Sequence, residues 1–158
     1  MKFTILFSLV MIVSLPLSGQ SKNSKKVRIS GDFIFRSVSI TLFNAPDSLF
    51  KEIDLLIEKN AESENATYRW YGEVRNLNLM RTPFIEVKPK NSEDPIIVFI
   101  DWDTFRTLEK YNCSNLRSSG KKVKVTLDAL KLDTKSIVSY QAINSPKHEI
   151  VKGKAICY

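Results

Sequence analysis

Two cysteines, Cys113 and Cys157, and one histidine, His148, are the scarcest reactive groups in this chain of 158 residues. Zinc sites draw on sets of thiolate and imidazole ligands at short spacings, and a dithiol redox centre needs Cys-x-x-Cys. Neither pattern is present. A nucleophilic cysteine needs a base, yet Cys113 has no histidine near it in sequence, and His148 sits in the polar run Ser145-Pro-Lys-His-Glu149 without a partnered nucleophile. A phosphate-cradling loop requires several closely spaced glycines, and Ser30-Gly31 is isolated among only five. Asp101 and Asp103, two apart after an apolar run, could seat a cation or a proton-transfer pair. Together with Arg75, Arg81 and Glu86 they are the residues a nuclease-like hydrolase would recruit. Asp103 also suits the cap of a helix beginning at Thr104, a role that needs no chemistry. The residues therefore assign no catalytic group, no metal ligand and no cofactor.

The first nineteen residues read as an export signal. Lys2 precedes the apolar run Phe3–Leu15, Pro16 breaks it, and Ser18-Gly19 offers small residues for cleavage. The run spans 13 residues, short of the roughly 20 a membrane-crossing helix needs, and no second run of that kind follows. Removing Met1–Gly19 leaves 139 residues with a formal charge of +6, one domain's worth of chain. The expectation is a secreted or periplasmic protein: a signal at 1–19, a basic disordered lead-in at 20–26 and a single domain at 27–158. In an oxidising compartment Cys113 and Cys157 are expected to pair. The bridge would pin the C-terminal tail, and closing its loop of about 45 residues stabilises by about 4 kcal/mol on the chain-entropy view. Asn65 and Asn112 both begin glycosylation sequons, relevant in a eukaryotic host.

The elements that must position these residues follow from periodicity. Val27–Phe43 is β-rich, with a break near Arg36-Ser37. Leu49, Phe50, Ile53, Leu56 and Ile57 recur at helical spacing and predict an amphipathic helix over 46–60. Alternation of Tyr68, Trp70, Gly72 and Val74 predicts a long bent strand over 67–80. Phe84–Lys88 reads as a short strand, and Pro89–Pro95 as a polar loop. Ile96–Ile100, apolar on both faces, predicts a central buried strand. A helix from Thr104 to about Leu116 should bury Phe105 and Leu108, and Gly120 ends it. Val123, Val125 and Leu127 alternate with lysines in a half-buried strand over 121–132, and Ser136–Ile143 supplies the last strand.

From Thr67 the order is strand, strand, strand, helix, strand, strand. With Tyr-Gly-Glu-Val at 71–74, Phe-Ile-Glu-Val at 84–87, Ile-Ile-Val-Phe-Ile at 96–100, Leu116…Gly120 and Val-Lys-Val-Thr at 123–126, this order resembles the OB-fold, a five-stranded Greek-key barrel. It is also similar to small exported OB-like domains of bacteria, including relatives of the tRNA-anticodon-binding type. The resemblance covers residues 67–143 and rests on element order, without a diagnostic motif. The implied fold is mostly β (α+β): an OB-like barrel at 67–143 with an extra N-terminal strand and helix. The alternative is a cystatin-like helix on an antiparallel sheet.

Charge is unevenly spread: residues 31–66 carry −4 and residues 104–158 carry +7. OB-folds bind nucleic acid or sugar chains by pairing a basic groove with aromatic platforms. The resemblance thus points to Tyr68, Trp70, Arg75, Trp102, Lys122, Lys124 and Tyr140 as ligand-binding candidates, with Tyr71 a further platform. Lysines alternating with valines also make the wet face of any strand, and lysine guards exposed sheet edges. The expected function is an exported, non-catalytic binding or interaction module, its partner a polyanion (glycan or nucleic acid) or another exported protein. The alternative is a secreted, nuclease-like hydrolase.

Overall fold

Gly31 is the residue on which the architecture turns. It lies in strand β1 (Lys26–Ile34) and is paired on one side with Pro89 of β2 (Phe84–Pro89) and on the other with Val125 of β4 (Lys121–Lys131). A side chain there would put its Cβ 2.3 Å from the Lys88 carbonyl oxygen, so only glycine permits the approach. The N-terminal part of β1 runs along β4 and its C-terminal part along β2, which turns a flat sheet through a corner. In this computed structural model, residues 25–34, 45–111, 116 and 118–155 are described.

β2 pairs with β3 (Ile96–Phe99), β3 runs parallel to β5 (Ser139–Ala142), and β5 pairs with β4, which returns to β1. The result is a closed five-stranded mixed barrel in the order β1-β2-β3-β5-β4. A sixth strand, β6 (Lys147–Lys152), extends it along the N-terminal half of β4. Helices α1 (Asp47–Asn60) and α2 (Ala66–Asn76) fill the β1–β2 connection, and α3 (Trp102–Glu109) lies between β3 and β4. A helix at that position in a five-stranded barrel makes the fold OB-like.

Several expectations about its parts need correction. The segment 67–80 is mainly helix, and the barrel's first strand is β1, outside the 67–143 span. Trp70 and Val74 are four apart, and Leu77 follows three later, so the same residues satisfy a helical stripe as well as an alternating one. Asn65 decides the start: its Oδ1 accepts from the Thr67 N–H at 2.9 Å. At the other end Asn78 adopts φ 57°, with Asn78 N–H donating to Arg75 and Leu79 N–H to Val74, the double closure of a Schellman turn. Gly72 is tolerated because its bare Cα lies against Ala61; an added Cβ would come within 3.1 Å of that methyl. The strand beyond the barrel is the C-terminal β6. Val138 and Ile143, inside the expected last strand, fall outside β5. α1 packs outside the barrel, so a helix wrapped by an antiparallel sheet does not describe the fold.

Side chains alternate around the barrel wall. Val123, Val125, Leu127 and Ala129 of β4 point inward and join Ile29, Phe33, Ile85, Val87 and Val98. Phe105 and Leu108 of α3 close one side of that core. Ile97 and Phe99 of β3, with Phe84 of β2, point outward beneath α1 and α2, where Ile57, Trp70, Val74, Leu79 and Met80 cover them. β3 is thus buried on both faces, as its unbroken apolar run requires. Met1–Gly19, Asn112 and both cysteines fall outside the described residues, so the signal, that sequon and the Cys113–Cys157 bridge stay expectations. Within the described residues no helix is long and apolar enough to cross a membrane.

Candidate anion-binding site

The alternation that buries the odd residues of β4 sends Lys122, Lys124 and Thr126 to the outer wall. Cross-strand register then builds a row that no local pattern shows: Lys88 of β2 is opposite Asp32 of β1, Asp32 is opposite Lys124 of β4, and Lys124 is opposite Glu149 of β6. Lys122 reaches diagonally to Asp32, its Nζ 2.6 Å from Oδ2. The stem of Lys122 crosses Gly153, where an added Cβ would fall 2.9 Å from Cε. Glycine at 153 therefore leaves the space that lets this lysine lie down onto its carboxylate.

Around this row the surface sinks into a cavity of about 330 Å³ lined by Ser30, Gly31, Asp32, Lys88, Pro89, Lys90, Ser92, Lys122 and Lys124. Lys90 and Ser92 come from the β2–β3 turn, which is tied by Ser92 N–H to the Pro89 carbonyl and by Ser92 Oγ to the Asp94 carbonyl. Ser30 Oγ lies 3.0 Å from Thr126 Oγ1 on the neighbouring strand. Four ammonium groups face one lining carboxylate. Lys122 is engaged by Asp32, whereas Lys88, Lys90 and Lys124 have no ion-pair partner among the described residues. Like charges held together at a concave surface raise the local potential and attract anions.

The other candidates are placed elsewhere. Trp70 is only 2% exposed; its ring stacks at 6.1 Å on Phe99, and its indole N–H donates to Ser139 Oγ at 2.8 Å. Tyr68 is half-buried on α2, and Arg75 bonds Asp54 at 2.7 Å and Glu58 at 3.4 Å. Those carboxylates, Asp54's hydrogen bond first, raise the Arg75 pKa further. Trp102 starts α3 and meets the edge of Phe105, while Tyr140 of β5 packs against the barrel interior. Of the seven candidates, the structure brings only Lys122 and Lys124 to the cavity. Asp32, Lys88, Lys90 and the two serines were missed. The nearest signal was the Lys88-Pro-Lys90 run at the end of a strand.

The hydrolase set is likewise taken up one residue at a time. Asp101, rather than Asp103, caps α3, accepting from Thr104 N–H at 2.8 Å and Thr104 Oγ1 at 2.7 Å. These bonds hold the Asp101 carboxyl below the usual carboxylate range. Asp103 pairs with Arg106, and Arg81 pairs with Asp47 while lying over the Phe50 ring. Glu86 is buried next to Tyr71, whose pKa is raised by burial and then by the Glu86 charge. Among the described residues no three His, Cys, Asp or Glu side chains gather as a metal site would require. Compared with known proteins, the chain matches no family model, no curated protein and no solved structure.

Proposed function

We propose that the protein is an exported, non-catalytic binding module that holds a polyanion at the lysine-lined corner of its barrel. The observation that carries this reading is the convergence of Lys88, Lys90, Lys122 and Lys124 on one cavity with a single lining carboxylate. The export signal read at 1–19 supports the location. Binding in this mode is salt-sensitive and leaves the ligand unchanged. The test is retention of the purified protein on heparin and on single-stranded DNA at about 0.1 M salt, where exposed charges still act over roughly 10 Å. Retention with intact ligand recovered supports the reading. Passage of the protein unretained through both matrices contradicts it.

A further inference from the structure

We infer that the polyanion is an acidic saccharide, recognised by lysines on either side of Asp32 and by Asp32 itself through a ligand hydroxyl. This deepens the polyanion reading above and rests on it. Asp32 splits the cations into two groups: Lys88 and Lys90 on the β2 side, Lys122 and Lys124 on the β4 side. With adjacent strands roughly 4.8 Å apart, Lys88 and Lys124 stand two strands apart, about 10 Å at the backbone. Anionic substituents on a ligand can meet either group, but one placed between them would face the Asp32 carboxylate.

What suits the centre is a hydrogen-bond donor. An ionised carboxylate only accepts, and Lys122 uses Oδ2 alone, leaving Oδ1 without a hydrogen bond among the described residues. Asp32 is held in place by that same lysine and remains 21% exposed. Ser30 and Ser92 add hydroxyl oxygens to the lining. A ring that carries both hydroxyls and sulfate or carboxylate groups matches this mixture. The cavity, at about 330 Å³, falls at the small end of ligand pockets and exceeds the needs of a bare tetrahedral anion.

The features that favour a nucleic-acid strand are missing from the lining. Single-strand binders stack bases on aromatic side chains, and arginine supplies the planar fork for phosphate. No aromatic residue and no arginine lines the cavity. The sugar-phosphate backbone of DNA also offers Asp32 no hydroxyl within the chain.

The experiment measures affinity by calorimetry at about 0.1 M salt for three probes: a heparin-derived hexasaccharide, a single-stranded DNA 12-mer and inorganic tripolyphosphate. The hexasaccharide should bind best. Asp32→Asn should weaken the hexasaccharide about fivefold, because a charge-assisted bond is lost, and should strengthen tripolyphosphate by relieving repulsion. O-methylating the hexasaccharide hydroxyls should weaken its binding to the unaltered protein by a similar factor, a result independent of whether the variant folds. If DNA binds as well as the saccharide, or if Asp32→Asn strengthens all three probes, the saccharide inference is overturned and the polyanion reading stands. If methylation leaves affinity unchanged, the role given to Asp32 falls. If none of the probes binds, the polyanion reading fails, and the inference with it.

Discussion

Two parts of the outer barrel wall have opposite fates. The β2–β3 face is aromatic and sealed: Phe84, Ile97 and Phe99 lie under α1 and α2, with Trp70 stacked on Phe99 and bonded to Ser139. The β1–β2–β4 corner is basic and open, and its lysines enclose a cavity. In OB-folds the strand 2–3 face and its flanking β1–β2 and β4–β5 loops commonly bind ligand. Here the β1–β2 connection has become a helical hairpin that occupies that face with the protein's own aromatic ring. Glu73 of α2 then fastens it to the β4–β5 connection, accepting from Lys135 N–H, Ser136 N–H and Ser136 Oγ at 2.9–3.2 Å. Aromatic residues in such a chain are therefore poor guides to its ligand surface. Under the polyanion reading proposed above, the lysines left over at the corner are better ones.

The contrast can be broken at the sealed face first. Trp70→Ala should cost about 3–5 kcal/mol, the usual penalty for emptying a large buried aromatic site, and urea unfolding would measure it. A cost under about 1 kcal/mol would mean that the hairpin is not anchored by this ring. Glu73→Gln removes the charge but not the shape. It should cost about 2 kcal/mol and speed hydrogen exchange at Lys135 and Ser136 while leaving polyanion affinity unchanged. Equal loss of affinity would show that face and corner are coupled.

A smaller effect is expected at α3, which lies apart from both. Asp101→Ala should cost about 1 kcal/mol by removing the cap. Because the folded-state pKa of Asp101 lies below its ordinary value, its contribution is present above the normal carboxylate range and is lost as pH falls through the lowered value. The stability difference between Asp101→Asn and the unaltered protein should thus shrink on acidification below about pH 4. A difference that stays constant to pH 2 would place the stabilisation elsewhere.

Much of the barrel could be read from sequence because its signals are local. Ile96–Ile100 is apolar on both faces and lies between the interior and the hairpin; Val123, Val125 and Leu127 alternate with lysines and do line the core. The helix over 47–60 follows its apolar stripe, although Leu49 and Leu56 of that stripe remain exposed. Trp70, Gly72 and Val74 deceived because an even spacing of four serves strand and helix alike, and aromatic and β-branched residues favour the strand reading. β6 was hidden by composition: Lys-His-Glu-Ile-Val-Lys has no alternation, and its pairing comes from the edge that β4 offers. The site was half visible. Lys122 and Lys124 stand out as a basic strand, but their meeting with Lys88 and Asp32 depends on register across three strands joined by long connections, which no local spacing encodes.

The most direct measurement is the salt dependence of hexasaccharide affinity for the unaltered protein and for a Lys88→Gln, Lys90→Gln, Lys124→Gln triple variant. Each cation removed from an anionic contact lowers the slope of log affinity against log salt by just under one unit. These lysines make no structural ion pair among the described residues, so unfolding stability should change by less than about 0.5 kcal/mol per site. A slope lower by about two to three units with stability retained is the predicted result. An unchanged slope and affinity would contradict binding at this corner of the barrel.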